Sequence, residues 1–488
     1  MSLIKIHNLT FAYPGSYDNV FENASFVMDT DWKLGLIGRN GKGKTTLMRL
    51  LMGQYKYNGT ITSTVNFSYF PYEIEHPDYL TCDVLQEACP NVQSWQILKE
   101  FSKLALTEEN YYQPFNQLSN GQQNKALIAA LFAGDNNFLL IDEPTNHLDM
   151  DTREQVAKYL NTKHGYILVS HDRNFLDSCV DHIVSINKAS IDICKGNFSS
   201  WFEDFSSAQT GKVKKNERLN KEIKRLEKSA MQKAEWSNKK EASVKGAGYF
   251  KGYVSHRAAK MMKRSKNVER NQQRKIQDRQ GLLDDVEEIE DLKIAYVSFR
   301  ANSLITLNNV IPSYNNKSVC SELSFEIKKG DRLALNGSNG CGKSTILKII
   351  TEQNINYDGL VTISSGLKIS YLPQQVKKFN GSLDDYIYDA GIEISLFKAL
   401  LRKLGFSRDQ FFKDISDYSL GQQRKVLIAK SLLEPANIYI WDEPLNYLDI
   451  YCRQQIENLI IRYQPTMIFV EHDKAFVDKV ATESIIIN

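Results

Sequence analysis

The sequence predicts an α/β protein, with two tandem copies of one domain joined by a long antiparallel α-helical hairpin. Three observations predict it. The opening SLIKIHNLTFAY at Ser2 returns as SLITLNNVIPSY at Ser303, and later segments repeat in the same order, so one fold is written twice. In each copy a GxxxxGK[ST] stretch lies between an apolar, strand-like run and a helical pattern. Between the copies sits an excess of about 85 residues with narrow apolar stripes at helical spacing and a strongly basic charge. The boundaries that follow are residues 1–207 for the first domain, 208–292 for the linker and 293–488 for the second domain.

The glycine-rich stretches come first in each copy. GRNGKGKT, from Gly38 to Thr45, follows KLGLI and precedes TLMRLLM; GSNGCGKS, from Gly337 to Ser344, follows RLALN and precedes TILKII. In that context they read as phosphate-binding loops. Gly38, Gly41 and Gly43, with Gly337, Gly340 and Gly342, let backbone N–H groups converge on phosphate oxygens at a helix N-terminus. Lys44 and Lys343 neutralise the β and γ phosphates, and Thr45 and Ser344 can hold magnesium. Asn40, Thr46, Asn339 and Thr345, in or just after the loops, are assigned to the same contacts. FLLIDEP and IYIWDEP then supply apolar strands ending in Asp-Glu. Asp142 and Asp442 are thereby placed at the metal, and Glu143 and Glu443 become the general bases or water-orienting carboxylates. His171 and His472, after the strands YILVS and MIFVE, could sense the γ-phosphate. The two loop starts are 299 residues apart, the aspartates 300 and the histidines 301, so neither copy carries a large insertion that the other lacks.

The linker reads as two helices. Leu219, Ile223, Leu226 and Ala230 step by 4, 3 and 4, and Leu283, Val286 and Ile289 by 3 and 3. Two such narrow stripes cover each other in an antiparallel hairpin. With ~35 residues per helix the tip would project on the order of 50 Å. That tip, near residues 245–256, is interrupted by Gly246, Gly248 and Gly252 and carries Tyr249, Phe250 and Tyr253 among basic residues. Residues 211–280 hold 22 Lys and Arg against 7 Asp and Glu, which leaves 39 against 51 for the rest of the chain. A polyanion is the partner such asymmetry favours, with a nucleic-acid backbone ahead of a membrane surface.

Composition narrows the class. At 488 residues, 42% apolar and 24% charged, the chain suits two or three ordinary globular domains. No apolar run approaches the roughly 20 residues of a membrane span, and MSLIKIHNLT lacks a signal peptide's features, so a soluble, cytoplasmic protein is expected. Seven scattered cysteines without CxxC or Cys/His clusters suggest neither disulfides nor a zinc or iron–sulfur site; Cys341, inside a phosphate loop, reads as a small filler.

In this order the residues resemble the ATP-binding-cassette (ABC) ATPases, and LSNGQQ and YSLGQQ are similar to their signature loops. The resemblance implies two tandem ABC-type P-loop ATPase domains in one monomer, using ATP and magnesium and closing head to tail. Each ATP would lie between the phosphate loop of one half and signature residues of the other, Ser119, Gly121 and Gln122 or Ser419, Gly421 and Gln422. Tyr13 and Tyr314, at matching places in the repeat, are similar to the family's adenine-stacking aromatic. Gln374 in YLPQQ matches the family's glutamine at magnesium and water, whereas the first half has Tyr72 there; Tyr418 and Leu420 flank Ser419, and Tyr447 stands opposite His147. The two sites are therefore expected to be unequal.

DEPTNHLD at Asp142, the absent membrane spans and the long linker narrow the resemblance to the ABC-F group, which acts on ribosomes rather than transporting solutes. The basic, aromatic-tipped linker looks like that of its Lsa-type antibiotic-resistance factors. By that resemblance the tip enters the ribosome toward large-subunit rRNA and P-site tRNA near the peptidyl-transferase region. There it would dislodge lincosamides, streptogramins A or pleuromutilins, or in a housekeeping role rescue a stalled tRNA, and hydrolysis would release it. Tyr249, Phe250 and Tyr253 are the stacking candidates, and Arg257, Lys260, Lys263 and Arg264 the phosphate contacts. Two rivals remain. The ATPase subunit of a membrane permease would have no use for a basic hairpin, and a DNA-maintenance ATPase would be expected to carry zinc-binding cysteines; neither membrane nor DNA is expected as a partner.

Overall fold

The computed structural model describes residues 2–15, 19–134, 137–146, 148–187, 191–244, 270, 291–314, 317–353, 355–374 and 381–487. These fall into two compact units, Met1–Trp201 with Ile289–Asn488, and Phe202–Glu288.

The first unit holds both copies of the repeat, each built on two sheets. In the first half an antiparallel sheet centres on Leu3–Phe11, paired with Phe21–Asp29 and Asn58–Thr62. Its alternating apolar residues bury one face: Ile4, Ile6, Leu9 and Phe11 are all in the core. The second sheet orders its strands Asn66–Phe70, Asn137–Asp142, Tyr166–Val169, Lys33–Ile37, His182–Ile186 and Ile191–Lys195, parallel except at the last pairing. YILV and FLLI are continuously apolar because a parallel strand covered on both faces has no solvent side.

The second half repeats this plan. Ser303–Tyr314 pairs antiparallel with Lys317–Ser318, Leu323–Lys328 and Asn356–Ile363, and a wholly parallel sheet runs Ile369–Leu372, Ile438–Asp442, Met467–Val470, Arg332–Asn336, Glu483–Ile486. Corresponding strands take corresponding places, as the 300-residue repeat requires. In both halves the phosphate-loop strand lies two strands from the Asp-Glu strand, with the strand that leads to the histidine between them. The chemistry-bearing residues thus gather at the carboxyl ends of neighbouring parallel strands, where an open α/β sheet forms its ligand crevice.

One helix, Phe198–Val244, begins in the last residues of the first unit's Met1–Trp201 segment and continues into the second unit; it starts ten residues before the sequence-based linker boundary. Asn197 opens it, its side-chain oxygen accepting the Ser200 N–H, and Phe198 and Trp201 are buried with rings 5.8 Å apart. Leu219 and Ile223 of the expected stripe are buried and Leu226 is half-buried. Ala230 as a side chain, the returning stripe Leu283, Val286 and Ile289, and the tip residues Tyr249, Phe250, Tyr253, Arg257, Lys260, Lys263 and Arg264 lie outside the described residues.

Candidate nucleotide sites at the strand ends

Both phosphate loops run directly into helices, Lys44–Leu51 and Lys343–Ile350. Gly43 and Gly342 cap those helices at φ 96° and 98°, a region costly for any residue with a Cβ. A Cβ on Gly43 would also stand 2.6 Å from Val20 Cγ1. Lys44 and Lys343 fold back into their own loops: Lys44 Nζ donates to Gly38 O at 2.7 Å, and Lys343 Nζ to Gly337 O at 2.8 Å and Ser338 O at 2.7 Å. Burial holds the Lys44 ammonium below the usual lysine range, against the pull of Asp449, Glu143 and Asp142. Beside the first loop Tyr13 is 41% exposed, shares a 2.7 Å hydrogen bond with Thr46 Oγ1 and meets Phe11 edge-on; Tyr314 is 46% exposed. Neither tyrosine is a buried core residue.

Thr45 Oγ1 donates to Asp142 Oδ2 at 2.8 Å, and Tyr69 OH donates to the same oxygen at 3.0 Å. In the second half Ser344 hydrogen-bonds Asp442. Burial, more than the neighbouring Glu443, pushes Asp442 up to about 6, and its Oδ1 is buried without a hydrogen-bond partner. A hydroxyl beside a carboxylate with a spare, buried oxygen is a donor set that suits a hard divalent cation.

Each carboxylate that follows sits on a strained turn. Glu143 and Glu443 still donate their N–H to the next strand, at Val169 O and Val470 O (2.9 Å each), yet adopt φ 50° and 49°. Such a conformation costs a non-glycine residue on the order of 1 kcal/mol or more and persists where surrounding structure over-determines it. Here it turns both side chains off the sheet toward the histidines: His171 Nε2 lies 3.4 Å from Glu143 Oε1 and His472 Nε2 3.7 Å from Glu443 Oε1. Burial, helped by Asp142, pushes Glu143 up to about 8, and burial with Lys44 and Arg453 keeps His171 neutral, far below its ordinary value. The halves then differ. Gln374 Nε2 donates to Glu443 Oε1 at 2.8 Å, and Asn446 Nδ2 donates to Glu443 Oε2. Tyr72, the counterpart of Gln374, is half-buried.

The signature loops are helix starts. Ser119 and Ser419 cap the helices Asn120–Ala133 and Leu420–Leu433, and Gln122 and Gln422 close a reciprocal capping box, with distances of 3.3 and 2.9 Å in both halves. The two halves face each other across these loops. Asn40 Nδ2 donates to Tyr447 O at 3.0 Å, and a Cβ on Gly421 would come within 2.7 Å of Tyr447 O and 3.4 Å of Asn40 Nδ2.

Sequence reasoning assigned no role to the residues that make this contact reciprocal. Asp449 Oδ2 accepts the Asn40 N–H, and Asp149 Oδ2 accepts the Asn339 N–H, each at 3.4 Å. The final Asp of DEPTNHLD and DEPLNYLD therefore reaches the other half's phosphate loop, and the repeat of that Asp at offset 300 was the available signal. Arg153 extends the link, donating to Leu148 O, Asp172 Oδ2 and, across the halves, His472 O at 3.2 Å.

Asp449 is also paired with Lys425 at 3.2 Å, both nearly fully buried. Burial alone would raise its pKa, but Lys425 and the Cys452 N–H outweigh it and hold the carboxyl well below the usual carboxylate range. A folded pKa below the unfolded one gives stability that is complete above about pH 4 and is lost as pH falls further. Asp449→Asn, which strands Lys425, should therefore cost about 3 kcal/mol at pH 7. Melting of the nucleotide-free protein across pH 3–7 checks this: the gap to the native chain should narrow toward the acid end, and a constant gap would refute the assignment.

The sequence matches the family model described as ABC transporter over residues 21–146 and 320–446. It is 30% identical over 503 residues to ATP-binding protein Uup of Buchnera aphidicola, covering 99% of this chain and 80% of that protein. It is 27% identical over 485 residues to ribosome protection protein VmlR of Bacillus subtilis, covering 98% and 85%. Among solved structures, the archaeal ribosome recycling factor aABCE1 in complex with stalk protein aP1 superposes with a TM-score of 0.63 at 19% identity, over 98% of this chain and 87% of that one. Ribosome-bound archaeal Pelota and ABCE1 give 0.64 at 20% identity, over 98% and 76%. Among the described residues no helix is long and apolar enough to cross a membrane.

Proposed function

Because this chain belongs to the ABC-F ATPases, we propose that it is a cytoplasmic, ribosome-binding ATPase whose linker reaches the tRNA and peptidyl-transferase region, displaces antibiotics bound there and leaves on ATP hydrolysis. The observation that carries the reading is the charge pattern. Within the linker, residues 211–280 hold 22 basic against 7 acidic residues and lie between two ATPase domains that are together acidic, so the polyanion-seeking surface is this stretch of the linker and not the nucleotide machinery. The relative VmlR is a ribosome protection protein.

In this reading the phosphate loops with Lys44 and Lys343 bind the ATP phosphates, and Tyr13 and Tyr314 stack on adenine. Ser119, Gly121 and Gln122, or Ser419, Gly421 and Gln422, close on the nucleotide from the opposite half. Thr45 and Asp142, or Ser344, Asp442 and Gln374, would hold magnesium, which would supply charge neutralisation at the β and γ phosphates. Glu143 and Glu443 orient the attacking water and take its proton, and His171 and His472 face the γ-phosphate. Asp149 and Asp449 make the arrangement sensitive to closure, since each bonds the opposite phosphate loop only when the halves meet. At the linker tip Tyr253, with Tyr249 and Phe250, stacks on an unpaired base, while Arg257, Lys260, Lys263 and Arg264 lie along RNA phosphates.

The test is growth of a drug-sensitive strain expressing the native chain or a Tyr249→Ala, Phe250→Ala, Tyr253→Ala chain, across lincosamides, streptogramins A and pleuromutilins, with ribosome co-sedimentation in parallel. The native chain is expected to co-sediment with ribosomes in the presence of ATP and to raise the inhibitory concentration of at least one class severalfold. The triple variant should lose protection at equal protein level while keeping its ATPase activity. Co-sedimentation without any protection would leave the housekeeping role on stalled ribosomes, and association with membranes or DNA instead of ribosomes would overturn the reading.

A further inference from the structure

Arg424 lies one turn into the helix Leu420–Leu433, is 1% exposed and has no carboxylate within hydrogen-bond reach among the described residues. Its guanidinium is instead caged by backbone carbonyls. Nε donates to Pro444 O at 3.3 Å, one terminal nitrogen to Pro373 O at 2.5 Å and Gln374 O at 3.5 Å, and the other to Asp442 O and Glu443 O at 2.5 Å each. Placing a full positive charge there is expensive: burial pulls the group down to about 10, and Glu471, Asp442, Glu443 and Tyr447 partly offset that.

The acceptors belong to two separate segments. Pro373 and Gln374 follow the edge strand Ile369–Leu372, whereas Asp442, Glu443 and Pro444 form the strained turn after Ile438–Asp442. Their strands pair as far as Leu372 and Trp441, and just beyond that pairing a planar group with five donors bridges both segments. The consequence is visible in the side chains, since Gln374 Nε2 meets Glu443 Oε1 at 2.8 Å.

The first half supplies an internal comparison. Gln123 and Gln423, one residue earlier, both donate to the carbonyl before the signature serine, at Leu118 O and Tyr418 O, so the two helices are in register. At the next position the first half has Asn124 in place of Arg424, and on the bridged segment Tyr72 in place of Gln374. Glu143 nonetheless adopts the same turn, φ 50° against 49°. The arginine is therefore not what creates the turn. It occurs where there is a glutamine to hold against the carboxylate, and its bridge is absent where there is none.

We propose that Arg424 is a positioning residue of the second ATP site: by clamping the two backbone segments together it sets Gln374 against Glu443 for hydrolysis, a function the first site lacks. The inference rests on the assignment of Glu143 and Glu443 as the hydrolytic carboxylates, and the experiment separates the two. ATP turnover is measured for Arg424→Asn and Arg424→Lys, each in a Glu143→Gln chain, where only the second site hydrolyses, and in a Glu443→Gln chain, where only the first does. Hydrogen–deuterium exchange is read on the same Arg424 variants with both glutamates native.

Arg424→Asn is expected to lower kcat about 10-fold with KM for ATP within twofold in the Glu143→Gln chain, and to cause at least a fivefold smaller loss in the Glu443→Gln chain. Lysine, with three donors for five acceptors, should fall between. Exchange should rise in residues 371–374 and 441–446 and not in 69–72 or 141–146. Equal losses in both backgrounds would mark a merely structural role, and unchanged exchange at 371–374 and 441–446 would overturn the clamp even if a single glutamate variant proves too slow to assay. Residual turnover in the Glu143→Gln, Glu443→Gln chain would instead unseat the glutamate assignment, with exchange still deciding the role of Arg424.

Discussion

A chain carrying both Glu143→Gln and Glu443→Gln is expected to bind ATP normally and to hydrolyse it at least ~100-fold more slowly than the native protein. Glutamine fills the same volume at the same strained turn, so the N–H bonds to Val169 O and Val470 O that anchor the turns remain available. What is lost is the capacity to accept a proton from the attacking water. The phosphate loops, Lys44, Lys343 and the cross-half contacts of Asn40 and Asn339 are untouched, and these are the groups assigned to binding. Binding and hydrolysis should therefore separate cleanly: nucleotide affinity by equilibrium titration within about threefold of native, turnover near background. If hydrolysis removes the protein from the ribosome, the double variant should also remain bound through a sucrose gradient that strips the native chain. Near-native turnover in the double variant would remove both glutamates from the hydrolytic assignment, whatever the ribosome data show.

Legibility in the sequence followed the range over which each feature acts. The repeat, the two phosphate loops and the strand-terminal Asp-Glu pairs were readable because a short stretch contains both the residue and the strand or helix that positions it. The order of strands could be inferred only as a class, since pairing joins Lys33–Ile37 to Tyr166–Val169 and His182–Ile186 across more than a hundred residues. The positive φ of Glu143 and Glu443 left no compositional trace, because glycine, the usual marker of that conformation, is absent there. Asp149 was quoted within DEPTNHLD, but neither it nor Asp449 carried a role, because their partners Asn339 and Asn40 lie 190 and 409 residues away in the other half. Gln122 and Gln422 show the converse. The resemblance placed them at the nucleotide, and the structure adds a local duty, the capping box with Ser119 and Ser419, that the S-x-x-Q spacing already encoded.

Reversal of the charge at Arg173 should disable closure of the two halves. Its guanidinium lies 3.0 Å from Glu457 Oε2, with side-chain exposures of 12% and 2%, and it is contributed by the first half whereas Glu457 belongs to the helix Ile450–Tyr463 of the second. The contact has no mirror image, because the repeat puts Ala157 where the second half has Glu457 and Lys474 where the first has Arg173. Breaking a buried ion pair by removing one partner typically costs about 3–5 kcal/mol, since the survivor stays desolvated and unpaired. Lys479, 2.7 Å from Glu457 Oε1, softens the loss on the acidic side but also pins the carboxylate in place to repel an incoming one. At tenfold per 1.4 kcal/mol, Arg173→Glu should shift the ATP concentration needed for closure by roughly 100-fold or more, read by small-angle scattering or by a distance probe between the halves. Turnover at limiting ATP should fall with it, and saturating ATP should recover part of the rate, because no group assigned to hydrolysis has been touched. The swap Arg173→Glu with Glu457→Arg should restore closure only partly, as the new arginine would meet Lys479. Native ATP dependence in Arg173→Glu would show that this pair does not report on closure, and an equal defect in the swapped chain would show that packing rather than charge is what the position contributes.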